Sequence, residues 1–357
     1  MKGLTARTAV LIVLLLVAGL VGSCTTAPAA SSWSSLLVAD EVLYTGSQAG
    51  RVFALDADSG AEVWRHPPAA DSTTIGGLWG TPAVLGDTLY IGSDNNQLYA
   101  LDTNTGSQRW TVSTGGRIVG APAVADGKVF FGSSDHKVYA LDAETGRKAW
   151  EFETDNWVWG RPAVAGGKVY VGSFDQRLYC LDAEDGAEVW TFKADGAIPG
   201  GPAVDDDKAF FGALDGKVYA VDVASGAKAW EFAAERWVWA KPVVVDGTVY
   251  VGSLDETLYA LDASSGARRW SFAAGGMIRA AVTIVDGQLY MGTEKGTVYA
   301  LDPVTGQELW QASPGKSVLT APAVAAGTVY VNTFGDALYA LDAASGVQRW
   351  TVTPSKR

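Results

Sequence analysis

Short bursts of apolar residues recur along almost the whole chain, each followed by turn-forming residues. Beyond the N-terminal segment no stretch shows the three-to-four spacing of an amphipathic helix. Residues 121–153 show the pattern. "APAVA", "KVFFG", "KVYALD" and "RKAWEFE" read as four successive strands, rich in the Val, Tyr, Phe and Trp that suit a pleated surface. Asp-Gly, Gly-Gly and Ser-Asp pairs between such bursts supply the turn chemistry.

This four-strand unit is a repeat. "VYALDAETGRKAW" at 138–150 returns in recognisable form eight times, and the copies end at Trp64, Trp110, Trp150, Trp190, Trp230, Trp270, Trp310 and Trp350. The first interval is 46 residues and every later one is 40. A β-helix coil or a leucine-rich repeat has a shorter period. Four strands in 40 residues, eight times over, predict an all-β, eight-bladed β-propeller with four antiparallel strands per blade. The blades run from about 34 to 353 and each is contiguous in sequence. The one insertion, six residues, falls within 65–77.

Each unit carries Ala-x-Asp-x-x-x-Gly-x-x-x-Trp, with Cys180 in place of the alanine once. Asp142 and its equivalents can cap turn amides. Gly146 permits a positive φ. Trp150 can bury a large ring between neighbouring blades. Gly-His and Trp-Asp dipeptides are absent from this register. The motif resembles the tryptophan-docking signature of pyrroloquinoline quinone (PQQ)-type propeller repeats, and the resemblance spans 34–353. It implies a docking role for the eight tryptophans named above.

The N-terminus changes the expected compartment. Lys2 and Arg7 precede an apolar run, Ala9–Val21, that is shorter than the roughly 20 residues a bilayer span needs. It ends in Val21-Gly22-Ser23-Cys24, which resembles a bacterial lipobox. That resemblance implies a signal peptide at 1–23, lipidation of Cys24 and a short anchored tether at 24–33. The protein is expected outside the cytoplasm: on the periplasmic face of an outer membrane in a diderm cell, otherwise at the cell surface. The net charge of −12 argues against a nucleic-acid partner. The second cysteine, Cys180, stands where sister repeats have alanine and is expected to be a small buried side chain.

No recognisable catalytic constellation is present. The two histidines, His66 and His136, sit at no ligand spacing, and no Gly-x-Ser-x-Gly element occurs. PQQ-dependent dehydrogenases share the repeat, but their pattern includes adjacent cysteines and a calcium site on insertions. This chain has no Cys-Cys pair and nearly minimal blades. Neither an enzyme, a metal nor a PQQ cofactor is expected. Asp94, Asp135, Asp175, Asp215 and Asp255 fall in second-to-third-strand turns and read as turn residues.

What all copies share is explained by the blade, so function is sought where they differ. At the start of the first strand one position is aliphatic throughout, and strand alternation makes it core-facing: Leu78, Ile118, Val158, Ile198, Val238, Ile278 and Val318. Its neighbours vary. The six non-docking tryptophans, Trp33, Trp79, Trp157, Trp159, Trp237 and Trp239, all fall in this zone. Arg161 and Lys241 follow the two pairs, and Arg279 stands at a tryptophan position. The second-to-third-strand turns add Phe174, Leu214, Leu254 and Phe334. Both connections lie on one propeller face, so Trp79, Trp157, Trp159, Arg161, Trp237, Trp239, Lys241 and Arg279 form the candidate site at the channel mouth. Packing between blades is the competing explanation for these rings.

The lipoprotein signal and eight such blades together resemble the BamB family of outer-membrane β-barrel assembly lipoproteins. The family implies a scaffold for extracytoplasmic or membrane proteins. Three readings follow: a scaffold of that kind, a propeller that binds a glycan, peptide or planar anion at its tryptophan-rich mouth, and a PQQ-dependent dehydrogenase.

Overall fold

A computed structural model describes residues 35–71, 73–205, 207–335 and 337–354. Cys24, Trp33 and the expected signal and tether lie outside these residues. Eight separate four-stranded sheets follow one another, each ordered first-second-third-fourth strand and antiparallel throughout. In blade 3 the strands are Ala123–Ala125, Lys128–Gly132, Lys137–Asp142 and Lys148–Glu153. Blade 4 covers Ala163–Lys193, blade 5 Ala203–Ala233 and blade 6 Val243–Ala273.

The core lies between blades. Successive strand residues point to opposite faces, and both faces of an inner strand meet a neighbouring blade. Val129 and Phe131 therefore pack against blade 2, with Tyr90 and Leu98. Phe130, between them in sequence, packs against Val158, Val169 and Val171 of blade 4. This is why the second strand reads as a continuous apolar run while the fourth, at the rim, alternates with solvent.

The docking motif forms in every blade. Each tryptophan donates its indole N–H to a backbone carbonyl of the next blade, at 2.7–3.2 Å, from Trp64 onto Thr103 to Trp350 onto Ala57. The ring lies between an aromatic of its own second strand, Phe130 for Trp150 at 5.9 Å, and the motif glycine of the following blade. Gly186 is that glycine for Trp150: a Cβ there would come 2.7 Å from the ring. Asp142 accepts from the Thr145 amide at 2.8 Å, and Gly146 beyond it has φ +70. The third- and fourth-strand pairing shifts register at the motif alanine, or at Cys180 in its place, in every blade, as between Ala140 and Leu141. Trp350 reaching Ala57 joins the last blade to the first and closes the ring.

Cys180 is buried opposite Trp190, and burial pushes its thiol up to about 11. It is a packing residue held protonated. The insertion after blade 1 is pinned by Arg51, which donates to the carbonyls of Pro67, Pro68 and Asp71 at 2.7–3.0 Å.

Candidate functional site

The first strand of each blade is shorter than its apolar pattern implies. It spans three residues, and the segment before it, with its Gly and Pro, is irregular. The aliphatic position lies in this segment, so its burial comes from backbone bridging and not from strand alternation. In blade 4 the Val158 amide donates to the Ser133 carbonyl of blade 3 at 3.2 Å, and the Trp157 carbonyl accepts from the Phe174 amide at 2.9 Å. Val158 is fully buried because Gly132 of blade 3 leaves it room: a Cβ at Gly132 would lie 2.1 Å from Val158 Cγ1. With position 158 pointing inward, positions 157 and 159 stay at the propeller face.

The turn aspartates brace this face. Asp135 accepts from the Gly115 amide and from the Tyr139 hydroxyl, each at 2.7 Å, and Asp175 accepts from the Asp155 amide and Tyr179 in the same way. Burial and the neighbouring carboxylate push both phenols well above their ordinary range. These residues are therefore more than turn formers, a role the sequence did not disclose.

The tryptophans of blades 4 and 6 are brought together. Trp157 and Trp159 stack in parallel, with centroids 5.0 Å apart and planes 4° from parallel. Phe174 stands edge-on to Trp159 at 4.7 Å and reaches Trp239 of blade 6 at 6.3 Å. This aromatic bridge passes over blade 5, whose Ala197, Pro199 and Gly201 are small and buried. Trp157, Trp159, Phe174, Trp237 and Trp239 are all half-buried, so they fill the gap over blade 5 and still present ring surface to solvent. The Trp159 indole donates to Ser134 Oγ of blade 3 at 2.9 Å, a contact no sequence signal marked. Trp237 and Trp239 do not stack on each other. Trp79 occupies the corresponding place in blade 2, half-buried.

Arg161 and Lys241 occupy equivalent positions, one residue before proline, either side of blade 5. Their backbones are held close by glycines between them. A Cβ on Gly201 would meet the Arg161 carbonyl oxygen at 2.2 Å, and one on Gly200 would meet the Lys241 amide nitrogen at 3.4 Å. Neither side chain has a carboxylate partner among the described residues. Enclosure by surrounding protein, and then repulsion from the Arg161 guanidinium, lower Lys241 to about 8. Enclosure also lowers Arg161, although water reaches its side chain. Arg279, by contrast, pairs with Glu294 of its own blade at 3.1 Å and so faces the mouth already neutralised.

No three His, Cys, Asp or Glu side chains gather around a possible metal position among the described residues. No helix of the described residues is long and apolar enough to cross a membrane.

Eight contiguous blades and a tryptophan docked across every seam define an eight-bladed propeller of the PQQ-like repeat type. A family profile described as outer membrane protein assembly factor BamB matches residues 48–157, 153–236, 175–281 and 275–356, and the chain belongs to that family. Among solved structures it is similar to the computationally designed Ika8 protein, at 17% identity and TM-score 0.78, covering 90% of this chain and 98% of that one. It is similar to BamB from Moraxella catarrhalis at 22% identity and TM-score 0.68, covering 88% and 92%. It is also similar to the quinohemoprotein alcohol dehydrogenase ADHIIG from Pseudomonas putida HK5, at 17% identity and TM-score 0.67, covering 88% and 70%. At these identities the structural likenesses speak for the fold alone. A comparison with curated proteins returns no match.

Proposed function

We propose that the protein is a non-catalytic, extracytoplasmic scaffold, lipid-anchored through Cys24, that holds partner proteins during outer-membrane protein assembly. The observation that carries this reading is the family match, which extends from residue 48 to residue 356 and so takes in nearly the whole ring. The half-buried rings of blades 4 and 6 supply a contact surface. Tryptophan at a propeller mouth offers large apolar area at little entropic cost and is the residue type most often found at binding hot spots.

The test is in-cell crosslinking followed by capture of the protein. A scaffold of this kind yields β-barrel assembly components, and Trp159→Ala combined with Trp239→Ala lowers that yield while the protein still folds. Capture of no envelope assembly protein at all overturns the reading. Mass spectrometry of the mature N-terminus checks the anchor separately: the expected species begins at an acylated Cys24.

A second reading, a propeller that binds a small ligand, is favoured by the Arg161–Lys241 pair. For the dehydrogenase reading the donor set is a poor fit. Cys180 is buried in a blade seam, and the carboxylates near the mouth are engaged by tyrosine hydroxyls, backbone amides or arginine. Adding PQQ with calcium and following dye reduction tests that reading directly.

A further inference from the structure

We propose that Arg161 and Lys241 form an oxyanion site at the inner rim over blade 5, built for a small ligand with two negative charges. It goes beyond the scaffold reading and does not depend on it.

The charge arrangement is the first argument. Many cations of this acidic chain find carboxylates: Arg109 reaches Asp87 and Asp102, each at 2.6 Å, and Lys217 reaches Asp195 and Glu231, each at 3.2 Å. Arg161 and Lys241 instead flank Gly200 and Gly201 with no carboxylate partner among the described residues, Lys241 half-buried and Arg161 exposed. Two like charges either side of one small-residue blade, one of them half-buried, are unfavourable unless something of opposite charge joins them. A net charge of −12 makes the local excess of positive charge more pointed, because the chain as a whole repels anions.

Shape is the second argument. The equivalent positions in blades 2, 3, 5, 7 and 8 are Thr81, Ala121, Gly201, Ala281 and Ala321, all uncharged. The two cations therefore mark one sector of the ring. Gly201 between them cannot carry a side chain without striking the Arg161 carbonyl, so blade 5 contributes no side chain at the equivalent position. The planar guanidinium offers a two-pronged donor face and the ammonium offers three rotatable donors, which together suit a pair of acidic oxygens. The bridge from Phe174 to Trp239 crosses the same sector and supplies a fluorescence reporter.

Dicarboxylates and phosphates share the required chemistry, and calorimetry on the full-length protein separates them, with malonate and inorganic phosphate as probes. Near neutral pH the wild type is expected to bind at least one of them and to change its tryptophan emission. Arg161→Gln and Lys241→Gln are each expected to weaken binding about tenfold, the scale of one charge-assisted hydrogen bond. Raising the pH to about 9.5, above the value at which Lys241 loses its proton, should weaken malonate binding to wild type and leave the Lys241→Gln variant unchanged. Tighter malonate identifies a dicarboxylate site and tighter phosphate a tetrahedral one. The proposal is overturned if neither probe binds at about 10 mM, or if wild type and both variants, shown folded by melting, bind alike. Loss of partner capture in the crosslinking experiment would leave these titrations untouched, so the two ideas fail separately.

Discussion

Trp190 and Trp159 are the same side chain on neighbouring blade elements, and the fold treats them differently. Trp190 is one of eight in a repeated setting: it is buried, as five of the eight are, tilted against Tyr170 and bonded to the Val223 carbonyl of the next blade. Trp159 is half-buried, stacks on Trp157 and bonds a serine side chain of the preceding blade. The first setting recurs wherever two blades meet. The second is formed beside blade 5, where the facing residues are small. Identical surroundings in all copies mark a residue that serves the ring, and a departure confined to one sector marks a candidate for recognition.

The sharpest way to break that contrast is to truncate both. Trp190→Ala is expected to cost about 3–5 kcal/mol, as for other large buried rings, because it empties a seam and orphans a carbonyl. Trp159→Ala should cost clearly less, since much of its ring surface already faces water. Urea unfolding of the two variants measures this, and equal losses would place Trp159 among the packing residues.

Gly201→Ala comes next. The added methyl meets backbone, not a flexible side chain, so blades 4 and 5 must shift apart at an expected cost of about 1–3 kcal/mol. Thermal melting reads the stability. A shift in tryptophan emission that disappears in the Trp157→Phe, Trp159→Phe background would show that the aromatic bridge depends on that close approach.

A smaller effect is tied to pH. Lys241 titrates near 8 in the folded protein against 10.5 as an ordinary lysine. Between these values the unfolded chain holds more protons, so this group makes stability rise with pH across the window. Its unfavourable contribution is complete below about 8. Lys241→Met is therefore expected to be more stable than wild type near pH 7, with the advantage fading towards about pH 10.5. Paired urea melts at the two ends check the sign, and an advantage that grows with pH contradicts the placement of Lys241.

The smallest expected change is at Gln176, a turn residue with φ +76 on the same face. Gln176→Gly should stay within about 0.5 kcal/mol of wild type. A large loss there would mean that the turns carry stability that the docking tryptophans do not.

The eight-bladed ring, its four-stranded units and the docking role of Trp64 through Trp350 are legible in the sequence. A repeat states the same structural instruction eight times, and only a few architectures satisfy it. The positions that vary between copies were legible as a list of residues, including Trp157, Trp159, Arg161, Trp237, Trp239 and Lys241. Their relation was not. A sequence does not show that Phe174 would reach over blade 5 to Trp239, that Ser134 would hold the Trp159 indole, or that Arg279 would find Glu294 while Arg161 would find no carboxylate.

The division has a physical basis. Strand period, turn chemistry and the docking motif act over a few residues or between identical neighbours, so local sequence and repetition determine them. The mouth is assembled from blades two apart in the ring, about eighty residues apart in the chain, as with Trp159 and Trp239. Which rings touch there, and which charges are left without a counter-charge, depends on how close the backbones of blades 4, 5 and 6 come. That spacing is set by the closure of all eight seams, down to Trp350 on Ala57, and only the tertiary structure fixes it.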